Sequence, residues 1–199
     1  MNPPEGRTSW KKAAAVAVPA LVAVAAMAVG MAEGVLASSF AVSGSAFQVS
    51  SGELSSKGLA SYVHVDRSAD GTGHPVALLG IGDATLSDIC QAARVGTPLG
   101  TVVFKLTAGG KAGAVRASNL VLDSEDLLGD ATFGRIQLGR DASTLDAVPG
   151  VQGEAGQFGL QASEVSVSGV HSHARSATGG DFKLKGLALD VSLNGKACF

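Results

Sequence analysis

Downstream of Phe47 the apolar residues recur at every second position and are interrupted by Gly, Asp and Asn, a pattern that lies on one face of a β-strand and nowhere useful on a helix. Val102, Phe104 and Leu106 are one such run, and Phe182 and Leu184 alternate with Lys183 and Lys185 in another. Residues 38–199 also hold 24 of the 27 Gly, which favours turns over a helical bundle. The expected fold is mainly β: a single antiparallel β domain, built as a meander or a flattened sandwich with a curved sheet.

The first strands are expected at Phe40 and Val42 and at Phe47 and Val49. Tyr62 to Val65 runs into the turn Asp70-Gly71-Thr72-Gly73, and Val76 to Ile81 returns. Val102 to Leu106 is expected to reverse at the Gly-rich loop 108–113 and return as Val115 to Leu122. Ser124 to Leu128 reads as one helical turn capped by Ser124. Strands resume at Ala131 to Leu138, Val165 to Val170 and Phe182 to Leu193. The Gly-rich stretch 141–159 is the one long connection, expected to be disordered in preference to forming a lid. Ala117 to Leu122 is loosely echoed by Ala162 to Val167, as if two long strands lay side by side.

Ahead of this pattern, Ala13 to Ala32 is twenty residues without a charge, ten Ala and five Val, preceded by Arg7, Lys11 and Lys12. A basic flank stays on the negative side of a bilayer while the apolar run partitions into it, so the chain is expected to be exported. Residues 1–12 form a basic cytoplasmic region, and 13–37 form a hydrophobic helix that is either a signal peptide or a transmembrane anchor. Small Val35 and Ala37 suit a cut between Ala37 and Ser38. The expected exported domain, 38–199, keeps 12 basic residues once Arg7, Lys11 and Lys12 are set aside and 15 acidic ones once Glu5 and Glu33 are. It has no basic patch or stacking platform for nucleic acid, so the expected partners are the membrane, through 13–32 if uncleaved, and a lipid or membrane protein.

Cys90 and Cys198 are the only cysteines. In an oxidising compartment an even pair reads most simply as one disulfide, with two buried free thiols as the alternative. Closing so long a loop stabilises a fold by roughly 4 to 5 kcal/mol.

Motifs for chemistry are sparse. No Gly-x-Ser-x-Gly elbow is present, which argues against a seryl hydrolase of that design. His171 and His173, two apart on a strand, point the same way and are the weak metal candidates, with Asp181 or Asp190 able to join only through the fold. His64 with Asp66 offers a carboxylate-oriented imidazole, or simply a solvated strand edge. His74 before Pro75 reads as a turn residue. Lys183 and Lys185 suggest a charged outer face that discourages edge pairing. No cofactor and no catalytic residue is assigned, and the reading leans away from an enzyme.

The sequence also carries Gly6-Arg7-Thr8 with Trp10-Lys11, Ser38-Ser39-Phe40, Asp88-Ile89-Cys90-Gln91, Thr97-Pro98-Leu99-Gly100, Ala117-Ser118-Asn119-Leu120, Asp130-Ala131-Thr132-Phe133 and the terminal Cys198-Phe199. As a set these residues resemble an actinobacterial family of N-terminally anchored exported proteins, a domain of unknown function, some of whose members are labelled cholesterol esterase. The resemblance implies an envelope location and the paired cysteines, and supplies no catalytic residues. Three readings follow: a non-catalytic envelope module that binds a lipid, another apolar ligand or a membrane partner; a structural surface protein; and a lipid esterase.

Overall fold

The computed structural model describes residues 44–199. The hydrophobic helix, the cut between Ala37 and Ser38, and the strand at Phe40 and Val42 lie outside the described residues.

Among the described residues ten strands follow in order: β1 (Phe47–Arg67), β2 (Gly73–Ser87), β3 (Ile89–Thr97), β4 (Gly100–Ala108), β5 (Val115–Ser124), β6 (Leu128–Phe133), β7 (Ile136–Asp141), β8 (Phe158–Ala162), β9 (Val165–Lys183) and β10 (Ala188–Leu193). All belong to one antiparallel sheet, as the alternation requires. Among the described residues the helical structure is limited to single turns at Gly110–Ala112 and Ala142–Thr144, and no helix is long and apolar enough to cross a membrane.

The sheet is neither a meander nor a flat sandwich, because it closes on itself. Phe47 of β1 pairs with Ala174 of β9, Ala174 with Ser124 of β5, Ser124 with Ala77 of β2, and Ala77 with Val63 of β1. The circuit thus returns to β1 far along from where it left, which is the stagger a closed sheet needs when its strands are steeply inclined. Long strands can follow such a path only if they coil; β9 shifts register against β5 and β6, while β1 and β2 stay in register with each other along their whole paired length. Inward residues change from even to odd positions on both sides of Gly58 and Gly82: Leu54 and Leu86 face the interior on one side, Leu59 and Ile81 on the other. Gly58 has φ +100, and a Cβ on Gly82 would lie 2.5 Å from the Lys57 carbonyl oxygen, so neither site accepts a side chain.

The inner face carries the main core, with Leu54, Leu59, Ile81, Leu120, Val165 and Val167 among its buried members. A second core lies on the outer face, where Leu145, Val148 and Val151 pack on Ala60, Tyr62, Leu78 and Val121. These three residues belong to the connection expected to be disordered. That expectation fails because its apolar residues, too widely spaced for a strand, land on a sheet face that would otherwise be wet. Its backbone is also held: Gln161 Oε1 accepts from the amides of Asp146 and Ala147, and Asp141 accepts from those of Ser143 and Gly156.

Other local expectations shift for similar reasons. The hairpin joining β1 to β2 is present around Asp70 and Gly71, with a much longer first strand than the sequence suggests. Loop 109–113 does not make a hairpin, since β4 pairs with β3 and β10 while β5 pairs with β2 and β9. The helical turn at Ser124 to Leu128 is absent because the Glu125 amide donates to the His173 carbonyl of β9. Ala131 to Leu138 divides at Gly134 into β6, which pairs with β9, and β7, which pairs with β8. The two echoed segments do not lie side by side; β5 meets β9 at 174–183.

Candidate functional site

The inner faces of β1, β2, β5, β6 and β9 do not meet. Between them is a cavity of about 500 Å3, walled by Leu54, Leu59, Ile81, Leu122, Val167 and Phe182. Its volume falls in the range of about 300 to 1,000 Å3 typical of small-molecule sites. Ser50, Ser51, Gln91 and Ser172 are the polar contributors, and no charged or histidine side chain lines it. Two of these hydroxyls are already engaged, Ser51 with the carbonyls of Glu53 and Ser87, and Ser172 with Ser124. What remains facing the hollow is hydrocarbon. At one rim Leu127 and Phe133 are 48% and 39% exposed, so the apolar lining continues to the surface. The alternation that puts Phe182 and Leu184 into the cavity turns Lys183 outward, in register with Arg116 of the neighbouring β5.

On the opposite side of the sheet the alternation of β1 carries Tyr62, His64 and Asp66 outward. Asp123 reaches the same face from β5, and the structure brings it to His64, with Nε2 3.1 Å from Asp123 Oδ1 and 3.5 Å from Asp66 Oδ1. The hydrogen bond to Asp123 raises the His64 pKa above its ordinary value against the opposing effect of burial. Burial, then the charge of Asp123, raises the Asp66 carboxyl. The Ser176 hydroxyl of β9 donates to Asp123 Oδ2. Sequence reasoning found His64 and Asp66 but missed Asp123, which is 59 positions away and arrives only through the β1–β2–β5 register.

Residues 43–199 match the family described as a family of unknown function, DUF6230. The chain belongs to that family. No curated protein and no solved structure matches it.

In the DUF6230 domain the two cysteines are joined. Cys90 of β3 and Cys198 form a disulfide with Cα atoms 5.7 Å apart. The bond sits beside a small cluster of Ala92, Val103 and Ala197 and ties the last residues to the sheet. His171 and His173 do share the outer face of β9, but they flank the terminal Phe199, with ring centroids 4.6 and 5.4 Å from it. His173 Nδ1 is also 2.8 Å from Asp126 Oδ2. Among the described residues the one set of three or more His, Cys, Asp or Glu close enough to hold an ion is His64, Asp66 and Asp123. Asp181 and Asp190, offered by the sequence as companions to His171, are not in it.

Among the described residues the serine and histidine contacts do not line up as a serine–histidine–carboxylate relay. Ser176 bonds to Asp123 and not to His64. Ser68 Oγ is 3.2 Å from His74 Nε2, yet Ser68 is buried and its hydroxyl is 2.7 Å from Asp70 Oδ1, where it closes the β1–β2 turn. Among the described residues, the cavity serines Ser51 and Ser172 bond to backbone carbonyls and to Ser124, not to a histidine.

Proposed function

We propose that the domain is a non-catalytic binding module that holds one lipid or other apolar ligand inside its coiled sheet and works in the cell envelope. The observation that carries the reading is the cavity: about 500 Å3, walled by branched and aromatic side chains, and open toward an apolar rim. A fold with so many Val, Leu and Ile residues could have filled this space, since interiors otherwise pack to near-crystal density. An apolar hollow that is not filled by side chains suits an apolar guest, which gains by leaving water. The Cys90–Cys198 disulfide is consistent with an oxidising compartment, and export through residues 13–32 is part of the proposal.

The test is native mass spectrometry with lipid extraction on the full chain, followed by titration of delipidated protein with cis-parinaric acid. The expected result is one bound guest per chain and saturable fluorescence at one equivalent. Ala177 lines the cavity, and Ala177→Trp, which fills part of it, is expected to weaken the probe by more than about tenfold while the disulfide and the circular dichroism stay as before. A clean apo mass with no probe binding, or equal binding by both proteins, refutes the reading.

A further inference from the structure

We propose that His64, Asp66 and Asp123 form a site for one divalent transition-metal ion on the outer face of the sheet, with zinc as the ion the donor set fits best. The three residues each offer one ligand atom, and all of those atoms lie within 4.8 Å of one another. One imidazole nitrogen with two carboxylate oxygens is a donor set that zinc and its neighbours take readily, leaving a fourth position for water. Calcium and magnesium prefer all-oxygen sites with more ligands.

A separate observation points to a ligand. Asp66 is only 9% exposed, and its Oδ2 is buried with no hydrogen-bond partner. A buried carboxylate oxygen without a donor is costly and rare, and a cation between Asp66 and Asp123 would satisfy it. The surroundings orient the other ligands. Ser176 holds Asp123 Oδ2, which turns Oδ1 toward His64, the arrangement expected where an outer hydrogen bond fixes a ligating carboxylate. Arg175, whose charge reaches Asp66, is bound to Glu125 through Nε at 2.7 Å and to the Gly44 carbonyl through Nη1 at 2.8 Å. The His64 side chain is 30% exposed, so an ion can enter from solvent without opening the sheet. Bound there, it would join β1 to β5 across β2, on the face opposite the apolar cavity and independent of what the cavity holds.

The experiment uses the full chain, stripped with chelator and dialysed. Isothermal titration with zinc chloride measures stoichiometry, and cobalt(II) substitution reports coordination through its visible d–d bands. One equivalent of zinc and an intense cobalt spectrum are expected. His64→Gln and Asp66→Asn should each weaken zinc by more than about tenfold, and Asp126→Asn, at the separate His173 pair, should leave it unchanged. Asp66→Asn keeps the side-chain shape and removes the charge of a carboxylate whose Oδ2 has no donor, so it stays informative if His64→Gln folds poorly. The proposal is overturned if the wild-type chain binds no zinc at one equivalent, which would leave a self-contained imidazolium-carboxylate network. It is equally overturned if both substitutions keep full affinity, or if calcium binds in place of zinc with no cobalt spectrum.

Discussion

Replacing Cys90 and Cys198 together with Ser should cost the domain most of its margin of stability. The bond closes a loop between residues 108 apart in sequence. In the chain-entropy relation a loop of that length removes about 16 cal/mol/K from the unfolded chain, or about 4.8 kcal/mol at 25 °C. A compact denatured state lowers this, so about 3 to 5 kcal/mol is expected. Native contacts at the chain end offset little of it. Gln48 Oε1 accepts from the Cys198 and Phe199 amides at 3.2 and 3.4 Å, and Gln48 Nε2 donates to the Phe199 carbonyl at 2.8 Å. Such bonds are worth about 1 kcal/mol each at best, against about 1 to 2 kcal/mol of backbone entropy for every residue they order. Without the disulfide the tail should therefore fray, exposing the Ala92 and Val103 cluster that Ala197 covers. Urea unfolding of the oxidised chain and the double-Ser variant measures the loss, and thermal unfolding should fall by about 6 to 20 °C. The urea slope should rise, because the open denatured chain exposes more surface. A loss below about 1 kcal/mol with an unchanged slope would refute the reasoning.

Further outcomes follow from the outer core and the turns. Leu145 is 1% exposed in the second core, and Leu145→Ala should cost about 2 to 5 kcal/mol in urea unfolding while leaving cis-parinaric acid binding intact, since the two cores lie on opposite faces. A Cβ on Gly80 would sit 2.4 Å from Val151 Cγ2, so Gly80→Ala should destabilise by about 1 to 3 kcal/mol and raise hydrogen exchange within 142–157 first. Asp70, bonded by the Ser68 hydroxyl and the Thr72 amide, has its pKa lowered to about 2. A depressed carboxylate contributes stability above its unfolded value of about 3.9, lost as pH falls through about 2. Carbon-13 titration of the Asp70 carboxyl checks this, and an ordinary midpoint near the unfolded value would contradict it.

Strand content was legible because period two is imposed by the backbone itself, and the β1–β2 hairpin was legible because Asp70-Gly71 announces its turn. Pairing was not. β1 spends one edge on β9 and then β8, and the other on β3 and then β2, a division set by the coil of the strands and written in no local run. The phase changes at Gly58 and Gly82 also split the inward residues of β1 and β2 into two parities, so a single alternating template along either strand misses part of its share of the cavity wall. Of the outer cluster, His64 and Asp66 were visible as neighbours on a strand, while Asp123 sat at the end of the apolar run 120–122, next to the polar Ser124-Glu125-Asp126, with nothing to single it out. The 141–159 connection was misread because its Gly and Pro residues signal a loop correctly but say nothing of whether Leu145, Val148 and Val151 will find a face to cover.

The two faces of the sheet answer to the same constraint. A strand buried on one side only needs alternation, and a strand buried on both sides reads as a continuous apolar run. β2 shows the second pattern at Val76 to Ile81, where Leu79 and Ile81 face the cavity and Leu78 faces the outer core. That segment could not be tolerated in water without the 142–157 connection over it, so the loop is a structural cover for the outside of the cavity wall. Rigidity of the wall follows, because Leu78 and Val121 are clamped from behind while Leu79 and Leu122 shape the hollow in front. A guest in the cavity should consequently be sensed at the rim near Leu127 and Phe133, where the lining is exposed, and not at the β2–β5 wall. Hydrogen exchange with and without cis-parinaric acid should show protection gained in β6 and little change in β2. The opposite distribution would mean that the guest enters by lifting the loop.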